Sequence, residues 1–219
     1  MLSYDMLRVC SHPLAQHYLG EIRDKNTPVA EFRRLVHKVT LLLAHDATRD
    51  LPLFAREVET PMGSAEASCV RGTDFVVAAI LRAGLGMVDA FCELVCGARV
   101  AHLGMFRDET SLKPVQYHAN VPSISEDSRV VVVDPMLATG GSLAEACSML
   151  KRCGARHLKA CCIIAAPEGI RLMQKQHPDV PIHVVAVDER LNSSGYIVPG
   201  LGDAGDRLYG THMEEDGGN

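Results

Sequence analysis

Val130 to Ser142 reads VVVVDPMLATGGS, and these residues decide the fold. Four consecutive valines have the composition of a strand buried on both faces of a parallel sheet. Asp134 then stands at the carboxyl end of that strand, and Ala138-Thr139-Gly140-Gly141 make a small-residue loop. A helix begins near Ser142, with Leu143, Ala146, Cys147 and Leu150 at helical spacing and Gly154 as its stop. In an open α/β sheet, ligands gather at that edge. The loop has little side-chain bulk, so backbone N–H groups can approach a phosphate, and the helix offers its positive end. Thr139 and Ser142 add hydroxyl donors. Asp134 would repel a phosphate, but a carboxylate can accept hydrogen bonds from two vicinal ribose hydroxyls. The stretch points to a sugar phosphate. It has neither the lysine nor the glycine order of a P-loop, which argues against an ATPase.

The same alternation continues on both sides. Phe75 to Leu81 is a continuous apolar run, and the turn Arg82-Ala83-Gly84 leads into a helical pattern through Met87, Phe91, Leu94 and Val95 that Gly97 ends. Val100 to Phe106 and His157 to Ala166 read as strands, Glu168 to His177 as a helix, and Ile182 to Asp188 as a further strand. Upstream, Phe32, Leu35, Val36, Val39, Leu42 and Leu43 recur at three and four, behind Thr27 as N-cap and Pro28 as first helical residue. Alternating strands and helices predict a doubly wound α/β sheet. Two segments fall outside the alternation, polar Arg107 to Asp127 and glycine-rich Asn192 to Gly210, and both are expected to be long excursions near the ligand. No repeat, low-complexity tract or linker divides the chain.

The 219 residues, 47% of them hydrophobic, suffice for a substantial core. No apolar run approaches the roughly 20 residues needed to span a bilayer. Met1 to His12 lack the pattern of a secretory signal, so the expected location is the cytoplasm. Eight cysteines are dilute in a chain of this size and are expected to be reduced and buried. Cys92 and Cys96 stand four apart with no matching pair elsewhere, which favours core packing over a metal. A net charge of −5 argues against broad affinity for nucleic acid.

The string DPMLATGGS after a valine strand resembles the phosphoribosyl pyrophosphate motif of type I phosphoribosyltransferases, and in its detail the uracil phosphoribosyltransferase family. Many members of the wider group carry two adjacent acidic residues, whereas here Pro135 follows Asp134. Three further segments are similar to the same family: ILRAGLGM (Ile80 to Met87), GMFRDET (Gly104 to Thr110) and GYIVPGLGDAGDRLYG (Gly195 to Gly210). Shorter matches occur at His12-Pro13-Leu14, Ala165 to Gly169 and His177-Pro178-Asp179, so the likeness runs from about His12 to Gly210.

The resemblance implies a parallel sheet flanked by helices in one domain over 1–219, with a mobile arm over about 107–127 and a base-binding segment over about 192–210. The tail 211–219 extends past the family's usual end, and its composition predicts disorder. The implied substrates are uracil and phosphoribosyl pyrophosphate. The implied contacts to the latter are Arg82, Arg107, Asp134, Pro135, Met136, Leu137, Ala138, Thr139, Gly140, Gly141, Ser142 and Asp203. Ile197, Gly202, Asp203 and Ala204 fall on the uracil positions, and Arg107 and Asp203 on the catalytic ones. Magnesium is implied as cofactor, bound mainly through diphosphate and water rather than by assigned side chains. The family also implies a homodimer or higher assembly, and GTP activation in some members. The rival reading is an RNA-binding pyrimidine regulator with a transferase fold, which would require a basic face.

Overall fold

The computed structural model describes residues 6–107 and 114–211. In chain order the first half contains β1 (Leu7–Val9), α1 (Pro13–Arg23), α2 (Val29–Ala47), β2 (Phe54–Thr60), β3 (Gly63–Cys69), β4 (Phe75–Leu81), α3 (Leu85–Leu94), β5 (Arg99–Arg107) and β6 (Pro114–Asn120). The second half contains β7 (Arg129–Val133), β8 (Met136–Leu137), α4 (Gly141–Arg152), β9 (His157–Cys161), β10 (Ile164–Ala165), α5 (Pro167–Gln176), β11 (Ile182–Val184), β12 (Ala186–Val187), β13 (Arg190–Leu191), β14 (Ile197–Val198) and α6 (Ala204–Tyr209). The main sheet has seven strands in the order β1-β11-β9-β7-β4-β5-β6. All its pairings are parallel except β5 with β6.

The two-residue period of a strand separates two cores. Phe75, Val77, Ala79, Val131 and Val133 face α1, α2, α3 and α6. Val76, Ala78, Ile80, Val130 and Val132 face α4 and α5. The valine run is thus buried on both sides, and the sheet is doubly wound as its sequence predicts.

The two long strands expected downstream are each divided. β9 stops at Cys161 and the chain resumes as β10; β11 stops at Val184 and resumes as β12. β7 and β8 are separated in the same way by Asp134-Pro135. The three short continuations pair in parallel as a second sheet, β12-β10-β8, that repeats the order of the strands behind them. Bonds across the break join the two sheets: Ile163 N and Ile164 N both donate to Pro135 O, at 2.9 and 3.1 Å, and Val185 N donates to Ile163 O at 3.0 Å.

Several boundaries differ from the sequence reading. Pro28, not Thr27, occupies the N-cap of α2, and the Thr27 hydroxyl donates instead to Glu21 O at 2.6 Å. The segment over 107–127 is not wholly irregular, because β6 within it forms the edge strand of the sheet, antiparallel to β5. The hairpin β2–β3 carries no sequence signal of periodicity, since nearly every residue in it is exposed. All eight cysteines are free, and Cys10, Cys147, Cys161 and Cys162 are buried. Burial pushes the Cys147 and Cys161 thiols up to about 12. Cys96 and Cys153 are exposed, because each follows the last turn of a helix rather than facing a core. No helix among the described residues is long and apolar enough to cross a membrane.

Candidate active site

The candidate site lies at the carboxyl edge of the main sheet, where the strands break. Asp134 follows the last valine of β7. Its backbone N–H donates to Cys161 O at 3.2 Å, and its carboxylate accepts from Met136 N at 3.2 Å. Burial raises its pKa from the usual 3.8 to about 7; the Met136 N–H opposes this and the nearby charge of Asp203 adds to it. A carboxyl group so placed gains from a ligand that donates hydrogen bonds to it, as a diol can.

The loop beyond it is shaped by backbone contacts. Pro135 O and Leu137 O accept from the neighbouring strand segment, the latter from Ala166 N at 2.9 Å. Gly140 has φ +86° and is the N-cap of α4, which Gly141 and Ser142 open. A Cβ on Gly140 would stand 2.9 Å from Gly169 O, and one on Gly169 would stand 2.5 Å from Ala138 O. Glycine at both positions lets α5 press against the loop. No N-cap side chain occupies the first N–H groups of α4, which leaves that positive end available to an anion. Ala138, Thr139, Gly141 and Ser142 are partly exposed around it.

The turn after β4 approaches from the other side. A Cβ on Gly84 would lie 2.4 Å from Val133 O, so only glycine allows that turn to reach the end of β7. The Arg82 guanidinium donates to Asp206 Oδ1 at 3.1 Å and to Thr211 Oγ1 at 3.2 Å, and its backbone carbonyl accepts from the Tyr209 hydroxyl at 3.2 Å. Asp203 caps α6 through a bond from Asp206 N at 2.9 Å. A Cβ on Gly205 would stand 3.2 Å from Asp203 Oδ1 and 3.6 Å from Arg82 Nη2. Arg82, Asp134 and Asp203 therefore converge. Arg107 ends β5, three residues beyond Gly104, the partner of Leu81. Its side chain, residues 108–113 of the arm and residues 212–219 of the tail lie outside the described residues.

The segment over 192–210 follows β13 and pairs back on it through β14, antiparallel, with Ile197 facing Leu191. Ile197 is buried, Gly202 is exposed at φ +76°, and Ala204 is the buried first residue of α6. Beside this segment is a cavity of about 460 Å³ lined by Arg23, Pro199 to Asp203, Asp206 and Arg207.

The residues that hold the segment escaped sequence reasoning. Arg207 donates to Leu201 O at 2.9 Å and to Ile22 O and Asp24 O, and it lies over the Phe32 ring at 4.3 Å. Arg23 and Asp188 form a paired bond that also engages Gly200. Glu168 Oε1 accepts from Leu191 N at 3.3 Å, while its Oε2 is buried without a partner among the described residues. These contacts join residues far apart in the chain, and no local pattern announces them. Glu168 lies inside the matched Ala165 to Gly169 string and Arg207 inside the Gly195 to Gly210 segment, the signals that could have found them.

A mostly parallel sheet with helices on both faces and a phosphate-suited loop at its carboxyl edge is the architecture of the type I phosphoribosyltransferases. A solved adenine phosphoribosyltransferase from Leishmania donovani superposes with a TM-score of 0.56 at 13% identity, covering 86% of each chain, a likeness of fold alone. The sequence pattern of the family described as uracil phosphoribosyltransferase matches residues 9–211, and the chain belongs to that family. A uracil phosphoribosyltransferase of Bacillus cytotoxicus is 53% identical over 205 residues, covering 94% of this chain and 98% of that protein. The solved AQ2163 protein from Aquifex aeolicus shares 36% identity with a TM-score of 0.91, over 94% of this chain and 99% of that one.

Proposed function

We propose that the chain is a pentosyltransferase of pyrimidine salvage that converts uracil and phosphoribosyl pyrophosphate into UMP and diphosphate. The observation that carries this reading is the convergence of Arg82, Asp134 and Asp203 beside the uncapped start of α4, in a chain whose family match spans 9–211. Glycosyl transfer at the anomeric carbon proceeds through an oxocarbenium-like state as the bond to diphosphate breaks and uracil N1 attacks the opposite face, its proton leaving to water or to the departing diphosphate, so the enzyme's work is positioning and charge stabilisation. The loop over Ala138 to Ser142 anchors the 5′-phosphate, with Pro135, Met136 and Leu137 fixing its path. Asp134 accepts the ribose hydroxyls. Arg82 exchanges its bond to Asp206 for the diphosphate, and Arg107 reaches the same group from the arm. Closure of the arm over 107–127 excludes water. Backbone groups at Ile197, Gly202 and Ala204 read the acceptor–donor–acceptor edge of uracil.

The oxygen chemistry of the site suits magnesium. The charge of Asp203 adds to the raised pKa of Asp134, so a cation held near the two carboxylates would relieve it. Magnesium, bound through the diphosphate and water, would supply charge neutralisation for the leaving group. Asp203 would help to hold it by orienting one of its waters.

The reading extends to one domain over the whole chain, a cytoplasmic location, a homodimer or larger assembly, and a response to GTP. The exposed hairpin β2–β3 favours assembly, since an isolated two-stranded hairpin is marginal in water. No observation favours the RNA-binding regulator. The test is UMP formation from uracil and phosphoribosyl pyrophosphate with magnesium, with and without GTP. UMP is expected, and its absence under every condition would sink the reading.

A further inference from the structure

Gly200 sits at the centre of the base-binding segment with both of its backbone polar groups engaged by one ion pair. Asp188 Oδ2 accepts from Gly200 N at 2.9 Å, and Arg23 Nη1 donates to Gly200 O at 2.7 Å. The same Arg23 nitrogen donates to Asp188 Oδ2 at 2.8 Å, and its second nitrogen bonds Oδ1, so the carboxylate is held at both oxygens. The Asp188 side chain is 4% exposed and that of Arg23 24%. A buried pair with this geometry fixes whatever else it bonds, because releasing one member leaves the other charged in a poor solvent.

The position of the turn gives the pair its consequence. Gly200 has φ +67°, and a Cβ there would lie 2.1 Å from Ile197 O, so the backbone folds back on Ile197. Asp188 is itself anchored, its N–H donating to Ala165 O at 2.8 Å just after β12. Arg23 ends α1 and borders the cavity beside Gly202 and Asp203. We propose that Arg23 and Asp188 are positioning residues for base recognition: they set the Ile197 to Gly202 backbone at the spacing that reads uracil, without touching the reacting atoms.

The inference rests on the assignment of uracil to this segment, and two readouts separate it from that assignment. In Arg23→Lys the charge persists but the planar fork is lost. The KM for uracil is expected to rise about tenfold, with the KM for phosphoribosyl pyrophosphate held within about twofold and kcat reduced less than KM rises. Asp188→Asn, which keeps an acceptor for Gly200 N, should shift the same constant in the same direction. The second readout is amide hydrogen exchange at Gly200, which needs no turnover: exchange should accelerate about tenfold or more in Arg23→Lys while core amides of β4 and β7 keep their protection. Unchanged Gly200 exchange, or equal rises in both KM values, would overturn the proposal. A parent enzyme that forms no UMP would refute the proposed function, and the exchange measurement would still decide the clamp. If Asp188→Asn fails to fold, Arg23→Lys carries the test.

Discussion

The proposed phosphate half and the proposed base half of the candidate site are built by different means. From Asp134 to Ser142, one strand, one loop and one helix start follow each other in sequence, and main-chain bonds to the adjoining strand shape the loop. The base half is a glycine-rich excursion placed by charged side chains from α1, from α6 and from the residue after β12. Backbone geometry makes one half; long-range ion pairing and arginine-to-carbonyl bonds make the other. Damage to the first should therefore register on phosphoribosyl pyrophosphate, and damage to the second on uracil.

The largest effect is expected from Asp188→Ala, which strands the Arg23 guanidinium without its carboxylate and leaves Gly200 N–H without its acceptor. Destabilisation of about 3–5 kcal/mol in a denaturant titration is expected, and a loss under about 1 kcal/mol would show that the base half does not depend on the pair. Arg107→Ala tests the arm: turnover should fall about 100-fold, as for removal of one transition-state donor, with uracil binding changed far less. Near-normal turnover removes Arg107 from the mechanism. Gly140→Ala forces a side chain into a left-handed position against Gly169, which should cost about 2 kcal/mol and weaken phosphoribosyl pyrophosphate more than uracil. Equal weakening of both substrates would break the comparison.

The smallest effect concerns pH. The folded pKa of Asp134, about 7, lies above its ordinary 3.8, so the folded state holds the proton more tightly than the unfolded state does. That contribution is complete below pH 3.8 and is lost as pH rises through about 7. Asp134→Asn removes the loss. The ligand-free variant should be more stable than the parent at pH 8 by about 1 kcal/mol, less than the full shift implies because water reaches the group, and the difference should shrink towards pH 4. Parallel melting temperatures across that range would contradict the burial of Asp134.

What could be read from the sequence divides along the same line. Four valines, an acidic residue and ATGGS are a local statement of strand, edge and helix start, and the structure places them so. The strand breaks at Cys162-Ile163 and at Val185 were not legible, because those residues are as apolar and buried as the strands they interrupt. The hairpin over Phe54–Cys69 was not legible for the opposite reason: with no buried face, it has no alternation to detect. Arg23 and Asp188 are 165 residues apart, and neither type of residue in its own surroundings predicts the other. The uracil positions rest on resemblance, because Ile197, Gly202 and Ala204 carry no local pattern of their own that points to a base.

The short sheet β8-β10-β12 gives the site a ruler. It begins in the phosphate loop and ends at Asp188, crossing two interstrand steps of about 4.8 Å each, or roughly 10 Å. The interval is set by main-chain hydrogen bonds between strands, so exchanging the side chains of Met136, Ile164 or Val187 leaves its length alone. The proposed base-binding segment can therefore diverge in sequence and keep its remove from the proposed phosphate loop.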